Sequence, residues 1–144
     1  MKTIYERIIP LAEAEKDRVS KHTAEKKKQY EIEVEKLYHL LVRYEAFLKA
    51  QNETGTVELL ASQYRERARD VVKQQIERQQ LYVTQAKNQY ERAQIDLKEA
   101  LIEEKKFTRL QSNQLEENRR TLALGEQNQM DELALLQFGR RRTT

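Results

Sequence analysis

The chain has 144 residues, 35% charged and 38% hydrophobic, with three Gly, one Pro, no Cys and no Trp. That length holds a single domain. The scarcity of turn-forming residues excludes a many-stranded sheet protein, and the lack of Cys excludes a disulfide scaffold or a thiolate metal site. The 27 basic and 24 acidic side chains are intermixed. Lys26, Lys27 and Lys28 stand between Glu25 and Glu31, and only Arg140, Arg141 and Arg142 form an unopposed basic cluster. The segregated positive field of a nucleic-acid binder is therefore not expected. A mean hydropathy of -0.94 suits long helices that bury one narrow stripe. No run approaches the ~18 apolar residues of a membrane span. Ile8 and Ile9 are followed at once by Pro10 and charges, unlike a signal peptide, so the expectation is a protein kept inside the cell.

The first predicted helix covers about residues 3–51. Thr3-Ile4-Tyr5-Glu6 has the capping-box form, in which hydroxyl and carboxylate each satisfy an amide. Pro10 removes one helical hydrogen bond, which predicts a kink or a late helix start there. Between Glu13 and Gln29 only Val19 is large and apolar. Beyond it, Tyr30, Val34, Leu37, Leu41, Tyr44 and Leu48 recur at alternating spacings of four and three, the heptad signature of a coiled coil.

A turn is predicted over 52–56, where Asn52 or Gly55 can end one helix and Gly55 or Thr56 can cap the next. A connection this short makes the two helices antiparallel neighbours. The second helix is predicted over about 57–138, followed by a basic tail, 139–144. Its seam reads Tyr64, Ala68, Val72, Ile76, then Val83, Ala86, Tyr90, Ala93, Leu97 and Leu101, with early steps of four that resemble a local stutter. Ala68, Ala86 and Ala93 are small enough to admit close helix approach. The fold class is thus all-α, an antiparallel two-helix coiled coil (an α-helical hairpin) whose longer second helix overhangs the first. Folding at Glu53–Thr54 places residue i near about 107 − i, which sets Leu48 near Leu59 and Leu60, Tyr30 near Ile76 and Ile4 near Glu103. The overhang beyond Lys106 spans roughly thirty residues, or ~50 Å. It is polar from Gln111 to Arg120 and ends in an amphipathic turn, Met130, Leu133, Ala134 and Phe138. With no partner helix, it is expected to be mobile or bound to another molecule.

Nothing in the sequence calls for catalysis, a metal or a cofactor. His22 and His39 lie seventeen positions apart on one helix, about 25 Å, too far to share an ion. Gly55, Gly125 and Gly139 are isolated and make no phosphate loop. Glu103-Glu104 and Glu116-Glu117 are adjacent pairs that point to different helix faces. Of the tyrosines, Tyr30, Tyr44, Tyr64 and Tyr90 suit the seam, while Tyr38 and Tyr82 fall off it, as do Val42, Phe47 and Leu81. Apolar residues outside a two-helix seam have nothing internal to bury against. The half of the hairpin nearest the turn is therefore expected to carry a binding face, with self-association into four helices as the rival account.

Certain strings carry more specific information. The opening Tyr5-Glu6-Arg7-Ile8-Ile9 with Ala14-Glu15-Lys16-Asp17, the run Glu104-Lys105-Lys106-Phe107 with Leu115-Glu116-Glu117, and Gln129-Met130-Asp131-Glu132-Leu133-Ala134 resemble the flagellar export protein FliJ family over essentially the whole length. The resemblance implies an antiparallel coiled coil like the stalk subunit of rotary ATPases. It would be seated in the ring of the export ATPase FliI, in contact with the export-gate protein FlhA, and would carry export chaperones. It implies a role in bacterial flagellum biogenesis and protein transport, hence in motility and chemotaxis. The place implied is the cytoplasm, peripheral at the cytoplasmic face of the cell membrane, without membrane insertion or nucleic acid. The family's gate-binding patch maps by pattern onto Leu37, Leu41, Tyr44 and Leu48 of the first helix and Tyr64, Ala68 and Val71 of the second. Because the patch overlaps the seam, some of these residues must be core. The alternatives are a generic coiled-coil chaperone or scaffold hairpin, and a hairpin that binds nucleic acid through Arg140–Arg142. Phosphate binding would weaken steeply with salt.

Overall fold

The computed structural model describes residues 3–53 and 59–142 and contains two helices, α1 (Ile4–Glu53) and α2 (Leu59–Arg142). They pack against each other as a helical hairpin, with no strand among the described residues. Thr3 precedes α1, and its Oγ1 accepts the Glu6 amide at 3.4 Å, the hydroxyl half of the predicted capping box. α1 runs from Ile4 through Pro10, so the late start does not occur. It also continues through Asn52 and Glu53, two residues past the predicted end; the rest of the predicted turn, 54–56, lies outside the described residues. α2 is described from Leu59; its predicted start, Val57, lies outside the described residues. It passes through Gly125 and Gly139 to Arg142, so the first part of the predicted basic tail is helical. An added Cβ at either glycine would meet nothing within 4 Å, which is consistent with uninterrupted helix there.

The contacts divide the chain into two units: residues 15–100, and residues 1–14 together with 101–144. In the first unit the protected positions of α1 are Lys16, Val19, Thr23, Lys26, Tyr30, Glu33, Leu37, Leu40, Tyr44 and Phe47, an unbroken alternation of three and four. Those of α2 continue the rule from Val72 through Ile76, Gln79, Val83, Ala86, Tyr90, Ala93 and Leu97 to Ala100. Two predictions change here. The seam of α1 is rotated toward Glu33, Leu40 and Phe47, and Val34, Leu41 and Leu48 are exposed on its flank. The early steps of four in α2 are not kept either: Tyr64 is exposed, Arg69 is half-buried beside Ala68, three residues before Val72, and Gln79 fills the seam position between Ile76 and Val83.

Polar groups at the seam explain both changes. The Thr23 hydroxyl lies 2.8 Å from the Val19 carbonyl, one turn back, and 3.1 Å from the Ala93 carbonyl across the interface. Ala93, 2% exposed, is small enough to let the backbones approach to that distance. Gln79 Nε2 donates to the Glu33 carbonyl oxygen at 3.0 Å and to the Glu33 carboxylate. Lys26 Nζ reaches Gln89 Oε1 at 3.3 Å. Tyr30 stacks on Tyr90, with centroids 6.2 Å apart and planes within 7°. These pairs set residue i opposite about 116 − i, not 107 − i. Two heptad seams can interlock only at registers seven residues apart. A value of 107 would place Tyr30 against Glu77, an exposed position off the seam, whereas 116 brings Thr23 to Ala93.

Gln79 and Glu33 therefore help to choose this register over its neighbours, as single buried polar residues do in other coiled coils. Gln79→Leu is expected to cost about 1 kcal/mol, because the Glu33 carbonyl and carboxylate lose the donor that reaches them across the seam. Glu33→Leu added to it is expected to recover most of that loss. Chemical denaturation of the two single variants and the double variant measures the coupling.

In the other unit, Tyr5, Ile8, Ile9 and Ala12 of α1 are half-buried, as are Glu104, Phe107 and Gln111 of α2. Ile4, predicted to meet Glu103, is exposed. From 112 to 140 every side chain is exposed, including Leu122, Met130, Leu133 and Phe138. Tertiary burial contributes nothing to that stretch, and isolated helices are marginal in water. Backbone amides of 112–140 are expected to exchange much faster than those of 72–100 in the dilute protein. Equal protection would show that something covers them.

Candidate functional site

The surface of the 15–100 unit holds no enclosed cavity among its described grooves. One shallow groove lies between Tyr30, Val34 and Tyr38, rimmed by Glu31 and Glu35. A second runs along the helix interface, between Gln29 and Glu33 on one side and Tyr82, Gln85 and Gln89 on the other. Among the described residues no group of three or more His, Asp or Glu side chains is placed to hold a metal ion. His22 is exposed on α1. His39 is also exposed; it meets Glu35 at 3.7 Å and the Tyr38 ring edge-on at 5.7 Å.

The charged groups with shifted acidity are exposed and local. Arg18 grips Glu15 with two donors, at 3.0 and 2.6 Å, and Arg119 grips Glu116 likewise, at 3.1 and 2.6 Å. Each guanidinium holds its carboxyl below the ordinary range, chiefly through these hydrogen bonds. A depressed carboxyl pKa supports the fold at neutral pH and loses that support as pH falls through the acid range. Full exposure makes both pairs helix-surface features of little energetic weight. Neither marks a reactive centre.

The predicted partner-binding residues separate into two groups. Leu37, Tyr44 and Ala68 are half-buried along the α1–α2 interface, whereas Leu41 (45% exposed), Leu48, Val71 and Tyr64 (77%) point to solvent. Tyr64, expected at the seam, is thus a surface residue; Tyr30, Tyr44 and Tyr90 are half-buried, and Phe47, expected on the surface, belongs to the seam. Tyr38, Val42, Leu81 and Tyr82 are exposed as predicted.

The exposed members of the predicted patch do not form one surface. Antiparallel heptads place like flanks side by side. Gln29 flanks the α1 seam on the side where α2 presents Gln89 and Tyr82, as the interface groove shows, and heptad spacing puts Lys36 and Ala68 on that same side. Tyr64 and Val71 extend outward from that side. Val34, Leu41 and Leu48 flank the α1 seam on its other side, with Tyr38 beyond them. The sequence pattern joined these groups because it placed Val34, Leu41 and Leu48 in the seam itself. Leu40 and Phe47, one position before Leu41 and Leu48, were the available signal for the true phase.

The chain is thus an antiparallel helical hairpin that leaves apolar side chains exposed on both flanks of its seam. The chain matches the family described as Flagellar FliJ protein over residues 1–143, and it belongs to that family, a non-enzymatic component of the flagellar protein export apparatus. No curated protein and no solved structure matched it. Among the described residues, no helix is long and apolar enough to cross a membrane.

Proposed function

We propose that the chain couples the export ATPase FliI to the export-gate protein FlhA and escorts export chaperones, acting as a stalk without an active site. The observation that carries this reading is the pair of apolar flanks beside the turn, where Leu41 and Leu48 on one side and Tyr64 and Val71 on the other remain exposed although the seam between them is filled. Large apolar and aromatic side chains at such density are what a protein-binding face needs. Membership of the family supports the export setting. In this reading the gate meets the hairpin through Leu37, Leu41, Tyr44, Leu48, Tyr64, Ala68 and Val71. Leu37 and Tyr44 hold the seam closed, Ala68 lines its edge, and the other four touch the partner on two flanks.

The exposed glutamines between Gln74 and Gln94 (Gln79, held in the seam by Glu33, is not among them) and the polar middle of α1 suit the ATPase side of the coupling. Neutral polar faces can change partners without stripping water from buried charges. The cytoplasmic face of the membrane is the place this role requires. The test is a pull-down of purified chain with the ATPase and, separately, with the cytoplasmic part of the gate protein. Capture of both is expected. Capture of neither, by a chain that remains helical, would leave a generic scaffold hairpin as the better description.

A further inference from the structure

The exposed apolar residues of α1 have a period of their own. Val34, Tyr38, Leu41 and Leu48 follow one another by four, three and seven, and Glu31 and Glu45 complete the alternation of three and four. This is a second heptad seam, displaced around the helix from the one that faces α2. The two share a border: Tyr30 of the inner seam also lines the groove with Val34 and Tyr38. α1 therefore has the pattern of a helix built to pack against two other helices, of which the chain supplies one.

We propose that this outer seam is occupied by a single amphipathic α-helix of a partner protein, apolar at heptad spacing and basic where it passes Glu31 and Glu45. The spacing argues for a helix, because knobs at alternating intervals of three and four match the holes of a neighbouring helix. An extended peptide would read alternate residues instead. The charge argues for a basic partner rather than a second copy of this chain. Two copies packed parallel through the outer seam would set Glu31 against Glu31 and Glu45 against Glu45. Packed antiparallel about Leu41, they would press Glu45 onto Tyr38. A helix with Lys or Arg at these layers turns both carboxylates into ion pairs. Glu45 already holds Lys49 at 3.8 Å, but both side chains are largely exposed, so that pair yields readily to a better partner. The inference deepens the docking part of the export reading and rests on it only for which protein owns the helix.

The probe is a synthetic three-heptad peptide with Leu at the apolar positions and Lys on the flanks. Two controls accompany it, the same peptide with Glu flanks and one of scrambled order. Binding to the full chain is followed by fluorescence anisotropy. The Lys-flanked peptide is expected to bind, and Leu41→Glu to weaken it by about tenfold or more, with the helical circular dichroism signal unchanged. Glu31→Lys with Glu45→Lys is expected to reverse the preference toward the Glu-flanked peptide. Equal binding of the scrambled peptide, indifference to Leu41→Glu, or dimerisation of the chain that Leu41→Glu abolishes would overturn the inference. If the peptide fails while the gate protein is still captured, the helix seam is wrong and the export reading stands. Peptide binding without capture of the gate gives the converse.

Discussion

Ile76→Asp is expected to unfold the 15–100 unit or lower its thermal midpoint by well over 10 °C. Ile76 is 8% exposed, and among the described residues only Val19, Val72 and Ala93 join it as buried apolar side chains. Loss of its burial removes ~1.5–3 kcal/mol. The new carboxylate adds a desolvation cost of several kcal/mol if it stays inside, or pushes the helices apart if it does not. A two-helix seam has no second layer to absorb either change, and each kcal/mol is worth about 4–8 °C in a unit of this size. Leu81→Asp is the matched control. Leu81 is exposed on the same helix, so its midpoint should stay close to that of the parent. Thermal melts of the three proteins by circular dichroism make the comparison. Equal midpoints for Ile76→Asp and Leu81→Asp would mean that Ile76 is not at the seam and that the register is wrong.

Leu41→Asp is expected to act on binding and leave the fold intact. Leu41 lies on the flank of the seam and is nearly half exposed, so a carboxylate there remains hydrated. Under the proposed function the same residue sits inside the gate interface. A buried unpaired charge in place of an apolar anchor commonly costs 2 kcal/mol or more, roughly thirtyfold in affinity. Tyr44→Asp is expected to behave differently: Tyr44 is half-buried in the seam, so it should lose stability and binding together. The two substitutions thus separate contact from support, which the pattern of apolar residues alone does not do. Affinity for the gate protein and thermal midpoint, measured on both variants, give the answer. A Leu41→Asp variant with parental affinity would remove this flank from the interface.

How far the fold is legible in the sequence differs from one residue to the next. Two helices and one turn follow from three glycines and one proline, from the heptads, and from the concentration of turn residues at 51–56. The phase of the α1 seam does not follow, because α1 carries two apolar heptads side by side. Hydrophobicity favours Val34, Leu41 and Leu48 over Glu33, Leu40 and Phe47. The structure selects the second set, since Gln79 satisfies Glu33 and since Thr23 and Ala93 permit a close approach. Polar seam residues of this kind are invisible to a pattern of apolar spacing. Lys16 and Lys26 add to the effect: their aliphatic stems cover the seam while their charge makes them read as surface. The register cannot be counted from the turn for a related reason: the interlocking layers determine it. The candidate surface was legible in its composition and in its place beside the turn. Its division into two flanks needed the correct phase, and so lay beyond the sequence pattern.

The role proposed for this one chain is to join the export ATPase to the export gate. The most direct measurement is capture of the gate protein on immobilised ATPase, with and without the chain and with its Leu41→Asp variant. Gate protein is expected to be retained only when the parent chain is present, with Leu41→Asp still bound to the ATPase but retaining little gate. Gate protein retained equally without the chain, or equally with the variant, would contradict it.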